Sequence, residues 1–209
     1  NMSYLVARPE GETLKTSPII PAEKNMTQIN NRAYLNAQGQ LSAQSIIHFN
    51  GINDTVYRAH FSKLKPEELR QFFEGHLRKS SPSAILEDIK FYPNELRDTS
   101  KPLKVELKYN YCDILTNNQG FKLIQIPYFG DSIGYANFLL RGTELKQRRF
   151  PLYTRMTAGI KEIYEIEIDP KLGVPVNPNI QAIETDNLYW NRIYSMKDNI
   201  LSITNNFEI

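Results

Sequence analysis

The chain has 209 residues, enough for one large domain or two small ones with buried cores. Its 25 Lys and Arg stand against 23 Asp and Glu, and a net charge of +2 supplies no global field for nucleic acid or an anionic membrane. A single cysteine excludes an internal disulfide and a cysteine-cluster metal site, and no apolar run approaches the roughly 18 residues that span a bilayer.

Residues 1–23 read as a lead-in belonging to a preceding domain. The opening Asn1-Met2-Ser3 has the character of neither a signal peptide nor a leader, and Tyr4 to Arg8 reads as the middle of a strand, so the chain is expected to be a piece of a larger protein. Arg8-Pro9-Glu10-Gly11 marks a turn, and Pro18 and Pro21 favour extended chain.

Residues 24–127 read as an α+β subdomain built on an antiparallel sheet. Ile29, Ala33 and Leu35 share one strand face, Asn36-Ala37-Gln38-Gly39 turns the chain, and Leu41, Ala43, Ile47 and Phe49 continue the same odd-numbered face. After Gly51 the period changes to 3.6: Asp54 is the expected N-cap, and Tyr57, Phe61 and Leu64 form a helical stripe. A second helix begins at Pro66, with Glu67 and Glu68 in its first turn, and buries Leu69, Phe72, Phe73, His76 and Leu77. Two strands follow. In the second, Leu103, Val105, Leu107, Tyr109 and Tyr111 alternate with Lys104, Glu106, Lys108, Asn110 and Cys112, the pattern of a sheet dry on one side and wet on the other. Phe121 to Ile126 is a further short strand.

Residues 128–209 read as a second subdomain, a small immunoglobulin-like β-sandwich, the whole being mainly β with some α. Its first part, 128–147, is irregular, with glycines at 130, 134 and 142. Tyr128, Phe129, Tyr135, Phe138, Leu139 and Leu140 give that part enough apolar surface to pack down. Beyond it, Tyr164, Ile166 and Ile168 oppose Lys161, Glu165 and Glu167. Further strands are expected at 180–184, 188–196 and 200–209, with Asp198-Asn199 as the last turn.

The order of Leu5-Val6-Ala7-Arg8-Pro9-Glu10-Gly11, Tyr34 to Ser42, Leu64 to Arg70 and Arg148-Arg149-Phe150-Pro151-Leu152 resembles the region downstream of the catalytic core in bacterial transglutaminase-like proteins that carry an N-terminal domain of unknown function. The likeness spans nearly the whole chain and rests on the order and spacing of a turn, a helix start and a strand opening. It implies a non-catalytic accessory module beside a papain-like Cys-His-Asp core of the same polypeptide, which it supports or gates. An exported or envelope setting is implied as well. No segment matches the motifs around the family's nucleophile, histidine or acid, so no catalytic residue is assigned.

The residues themselves agree with a non-enzymatic reading. A thiol enzyme would need Cys112 beside one of His48, His60 and His76, yet Cys112 ends an amphipathic strand and is expected as an incidental exposed thiol. The dispersed histidines lack metal-ligand spacing, and no Gly-rich phosphate loop occurs, so neither metal nor cofactor is expected. His48 is expected to face solvent, and Glu162, Glu165 and Glu167 to form the wet side of their strand. Contact with a ligand or a neighbouring domain is assigned to Tyr128, Tyr135, Arg148, Arg149, Tyr189 and Ile193, with Arg148 and Arg149 as a charge pair at a strand opening. The alternative function is a carbohydrate- or peptide-binding module using 128–147. Nucleic acid and membrane insertion are not expected.

Overall fold

The computed structural model describes residues 3–118, 121–141, 143, 147, 149–150, 153–173 and 180–209. The lead-in forms a small ribbon of β1 (Ser3–Tyr4) and β2 (Lys15–Thr16), and between them Gly11, at φ 78°, donates its N–H to Arg8 O in the expected turn. A 3-10 turn at Ala22–Asn25 then delivers the chain into β3 (Met26–Leu35) and its hairpin partner β4 (Leu41–Phe49).

The two expected helices follow as α1 (Ile52–Phe61) and α2 (Pro66–Ser80). Asp54 is not the N-cap of α1: Gly51, at φ 59°, occupies that position, and Asp54 lies in the first turn, where its carboxylate pairs with Arg58 one turn on. In α2, Pro66 stands at the start as expected, and Glu68 Oε2 accepts the Lys65 N–H at 2.7 Å. The stripes of both helices meet the sheet in a ring cluster: Phe61 lies 5.3 Å from Phe72, 5.7 Å from Phe73 and 5.6 Å from Phe91, and Phe49 lies 4.7 Å from Tyr57.

Next come β5 (Ala84–Tyr92), β6 (Leu103–Tyr111) and a short hairpin of β7 (Leu115–Asn118) and β8 (Phe121–Ile124). After the single turn α3 (Ala136–Leu139), the last strands are β9 (Gly159–Ile168), β10 (Ile183–Thr185), β11 (Leu188–Lys197) and β12 (Ile200–Glu208). The fold is thus mainly β with helices, as the patterning predicts. Asp198 and Asn199 make the last turn with φ values of 50° and 62°, the left-handed conformation that these two residue types tolerate.

Among the described residues, the main sheet has eight strands in the order β10-β11-β12-β9-β3-β4-β6-β5. Every pair is antiparallel except β3 with β9, which run parallel from Met26↔Gly159 to Leu35↔Ile168. The strands on either side of the expected boundary at residue 128 therefore share one sheet rather than two. The reason lies in matching faces: Ile29, Leu35, Ile160, Tyr164, Ile166 and Ile168 are all buried, so joining β9 to the free edge of β3 merges two apolar rows under one cover.

Both helices and the 127–141 segment lie over the odd-numbered face of β3 and β4. Gln28, Asn30, Arg32, Gln44, Lys108, Lys161 and Glu165 stand exposed on the other face, the wet side the alternation predicts. One edge of the sheet is guarded. The β5–β6 register shifts between Leu86 and Asp88, and at that irregularity the Arg70 guanidinium of α2 donates to Leu86 O. No helix among the described residues is long and apolar enough to cross a membrane.

Candidate functional site: a buried carboxylate beneath a glycine-bearing segment

Strands alternate their side chains, so a polar residue in phase with apolar neighbours is carried into the core. Three such residues sit side by side. Asn31 is in phase with Ile29 and Leu35, Ser45 with Ile47 and Phe49, and Glu162 with Ile160, Tyr164 and Ile166, and all three are buried. Glu162 was expected on the wet side of its strand with Glu165 and Glu167. It is fully buried instead, because its position has the parity of Tyr164 and Ile166.

Register then builds a network. Asn31 faces Ser45 across β4 and Tyr164 across β9, and Glu162 faces Ile29 on β3 and Asn205 on β12. Asn31 Nδ2 donates to Glu162 Oε1 at 3.1 Å, and the Asn31 side-chain carbonyl accepts the Ser45 hydroxyl. Ser45 Oγ lies 2.9 Å from the Tyr109 hydroxyl, and the Tyr164 hydroxyl donates to Pro127 O. Burial holds the phenols of Tyr109 and Tyr164 protonated, far above the ordinary tyrosine range.

The 127–141 segment closes over this floor. It packs down, as its aromatic content predicts, and four of its backbone N–H groups are held by side chains from below. Phe129 donates to Glu162 Oε1 at 3.0 Å and Gly130 to Glu162 Oε2 at 2.8 Å; Gly134 donates to the Tyr57 hydroxyl and Tyr135 to Asn53 Oδ1, both at 2.7 Å. Asn53 also accepts the Thr27 hydroxyl at 2.7 Å and donates to Asn25 O at 2.8 Å, which ties the segment to α1 and β3 together.

The glycines permit this approach. A Cβ on Gly130 would meet Ile160 Cγ2 at 2.7 Å and Glu162 Oε2 at 2.9 Å, and Gly134 has a φ of 123°. Apolar contacts complete the seal, with Phe129 and Ile133 joining the main core and Ala136 packing on Ala158 and Ile160.

Electrostatically, Glu162 is caught between opposed effects. Burial pushes its pKa up to about 7, against the pull of the Gly130, Phe129 and Asn31 donors, and Asp131 nearby adds repulsion. Asp131 itself is raised by burial and partly relieved by Arg192. The groups that meet this carboxyl from the covering segment are the Phe129 and Gly130 backbone amides.

The residues singled out from sequence fall in different places. Tyr128 and Tyr135 belong to the covering segment. The Tyr128 ring lies 4.2 Å beneath the Arg192 guanidinium and edge-on to Tyr164, while Tyr135 lies 5.9 Å from the Phe138 ring. Tyr189 and Ile193 are on the opposite face of β11, where the Tyr189 hydroxyl accepts from Asn191 and Ile193 is exposed. Arg149 lies in an exposed bend, stacked 5.5 Å from the Phe150 ring, and β9 opens only at Gly159; it is therefore not at a strand opening. Arg148 lies outside the described residues.

Cys112 is exposed as expected. His48 is only half-buried and faces the reverse side; desolvation and Lys104 lower its pKa. Surface concavities among the described residues include one of about 620 Å³ between α1 and Leu96–Thr99 and one of about 540 Å³ between Pro66, Leu69 and Ile89–Asn94. Neither is lined by Glu162 or by a described residue of the 128–147 segment. No group of three or more His, Cys, Asp or Glu among the described residues is placed to hold a metal ion.

The fold and site define an α+β protein whose central polar cluster organises a covering segment. Comparison with family models, with curated proteins and with solved structures finds no match to the chain.

Proposed function

We propose that the chain is a non-catalytic accessory module that docks against, and supports or gates, a transglutaminase-like core of the same polypeptide. The observation that carries this reading is a run of exposed apolar residues along the lead-in: Tyr4, Leu5, Leu14, Ile19 and Ile20, with Leu14 69% and Ile19 64% exposed. Met156, also exposed, joins them at one end of the sheet, since the next residue, Thr157, donates its hydroxyl to Ile20 O and accepts Asn25 Nδ2 at its own carbonyl. Single apolar residues need no explanation on a protein surface, but five of them exposed along one short lead-in support an interaction surface.

A carbohydrate or peptide binder would use a concavity lined by 128–147 and its tyrosines. That reading gains no support from the covering segment, whose described part packs onto the sheet.

The test is the combined variant Leu14→Asp, Ile19→Asp, Ile20→Asp in the polypeptide that contains the core. Docking through this surface predicts earlier proteolytic separation of module and core and a lower unfolding temperature for the core, with the module's own unfolding shifted by no more than about 0.5 kcal/mol. Unchanged proteolysis and core stability would refute it.

A further inference from the structure

We propose that the chain self-associates through the uncovered edge of β11: two copies pair their β11 strands antiparallel about a two-fold axis at Tyr194, joining two eight-stranded sheets into one.

The length of that edge carries the argument. β11 pairs with β12 from Tyr189↔Glu208 to Lys197↔Ile200, but β10 meets it only at Leu188, Tyr189 and Trp190. Asn191 to Lys197 therefore has no strand on its outer side among the described residues. The opposite edge, β5, carries a register shift and the Arg70 guanidinium at Leu86 O. The β11 edge runs in unbroken register, holds no proline and has its one lysine, Lys197, at the end, so it lacks those defences against pairing.

Hairpin geometry decides which groups this edge presents. The two-residue turn Asp198-Asn199 makes Lys197 and Ile200 a hydrogen-bonded closing pair, and Asp186-Asn187 does the same for Thr185 and Leu188. Bonded and non-bonded positions alternate along an antiparallel ladder, so Lys197, Ser195, Ile193 and Asn191 direct their N–H and C=O groups to β12. Arg192, Tyr194 and Met196 direct theirs outward. Leu188 and Trp190, of the same parity, direct theirs to β10, so both hairpins give one phase.

The complement of a row of outward donors and acceptors is another extended backbone, and a second copy of β11 fits it by length and by side chains. A two-fold axis at Tyr194 sets Arg192 opposite the partner's Met196, Tyr194 opposite the partner's Tyr194, Ile193 opposite the partner's Ser195 and Asn191 opposite the partner's Lys197. All three outward residues then exchange hydrogen bonds, no like charges face each other, and the pairing stops where β10 begins on either side. An axis at Ile193 would drive the partner's Met196 against Trp190, whose outer side β10 already holds, and an axis at Ser195 would set Arg192 against the turn at the partner's Asp198. The strand is also exposed on both faces here, Ile193 by 55% on one and Met196 by 40% on the other, and strand pairing covers both. Seven residues make a small interface, so the association is weak and concentration-dependent.

The experiment is sedimentation equilibrium of the whole chain from about 1 to about 300 µM, where the weight-average mass should climb from that of one copy toward that of two. Charge at position 196 tests the register, because that side chain faces the partner's Arg192 and is exposed in the single chain. Met196→Glu should lower the dissociation constant and Met196→Lys should raise it, each by about 2- to 30-fold, since symmetry counts the cross-strand pair twice. A mass that stays at one copy across the range overturns the proposal, and this readout stands on the wild type alone. Self-association that responds alike to both charges, or that is lost in the combined variant Leu14→Asp, Ile19→Asp, Ile20→Asp, also overturns it, because the contact then lies on another surface.

Discussion

Gly130 and Glu162 are bound to each other by a 2.8 Å hydrogen bond from backbone to carboxylate, across 32 residues of chain. The contact exists because Gly130 has no side chain to hold the backbone away and because Glu162 sits on the inward phase of β9. Each residue is ordinary by itself; together they fix where an irregular segment lands on a sheet.

Replacing Gly130 with alanine should destabilise the fold by about 1–3 kcal/mol, because the added carbon would fall on Ile160 and the carboxylate. Gly75, inside α2 and with open space where its Cβ would stand, should behave oppositely: Gly75→Ala should stabilise by about 0.5–1 kcal/mol. Urea unfolding of the two variants checks both signs.

Global stability should carry the signature of Glu162 as well. Its folded-state pKa is raised from 4.5 to about 7, so its contribution is fully present below pH 4.5 and is lost as pH rises to about 7, by about 3 kcal/mol in all. His48 and His76, both lowered by burial, act in the other sense, losing stability as pH falls below 6.5. The quantity to measure is therefore the pH dependence of the difference between the wild type and Glu162→Gln, obtained from denaturant midpoints at pH 4.5, 6 and 8; a constant difference contradicts the assignment.

Arg58 should be the most damaging polar position to truncate. Its guanidinium meets Asp54 in two hydrogen bonds of 2.6 and 2.8 Å and donates to Leu96 O, Asp98 O and Lys101 O, while Asp54 also accepts the Leu103 N–H. One side chain thus organises the connection between β5 and β6. Arg58→Ala should cost about 3–5 kcal/mol, as expected when a buried ion pair loses one partner, and Arg58→Lys should recover only part of it because an ammonium cannot reproduce the fork. Thermal unfolding of the pair measures the difference.

Cys112 should react with one equivalent of a thiol reagent in the folded protein, since it is exposed at the end of β6. Cys112→Ser should change stability by less than about 0.5 kcal/mol. Hydrolysis of an amide or thioester substrate by the chain that disappears in this variant would overturn the accessory reading.

Much of the architecture is legible because it depends on short-range periodicity. The β3–β4 hairpin, the α2 stripe from Leu69 to Leu77, the alternation of β6 and the left-handed Asp198-Asn199 turn all follow from spacing and residue type within a few positions. The candidate site was half-legible. The parity of Glu162, Asn31 and Ser45 places them inward, but residue type argues for solvent, and type misleads when a polar partner waits in the core.

What the sequence determined by itself is which residues turn inward on each element, because backbone geometry sets that phase locally. What only the tertiary structure decided is what those residues meet: β9 against the far edge of β3, and the Phe129 and Gly130 amides above a carboxyl group. Those pairings join positions more than thirty residues apart, and they are chosen by the burial and hydrogen bonding of the whole molecule, which no local period records.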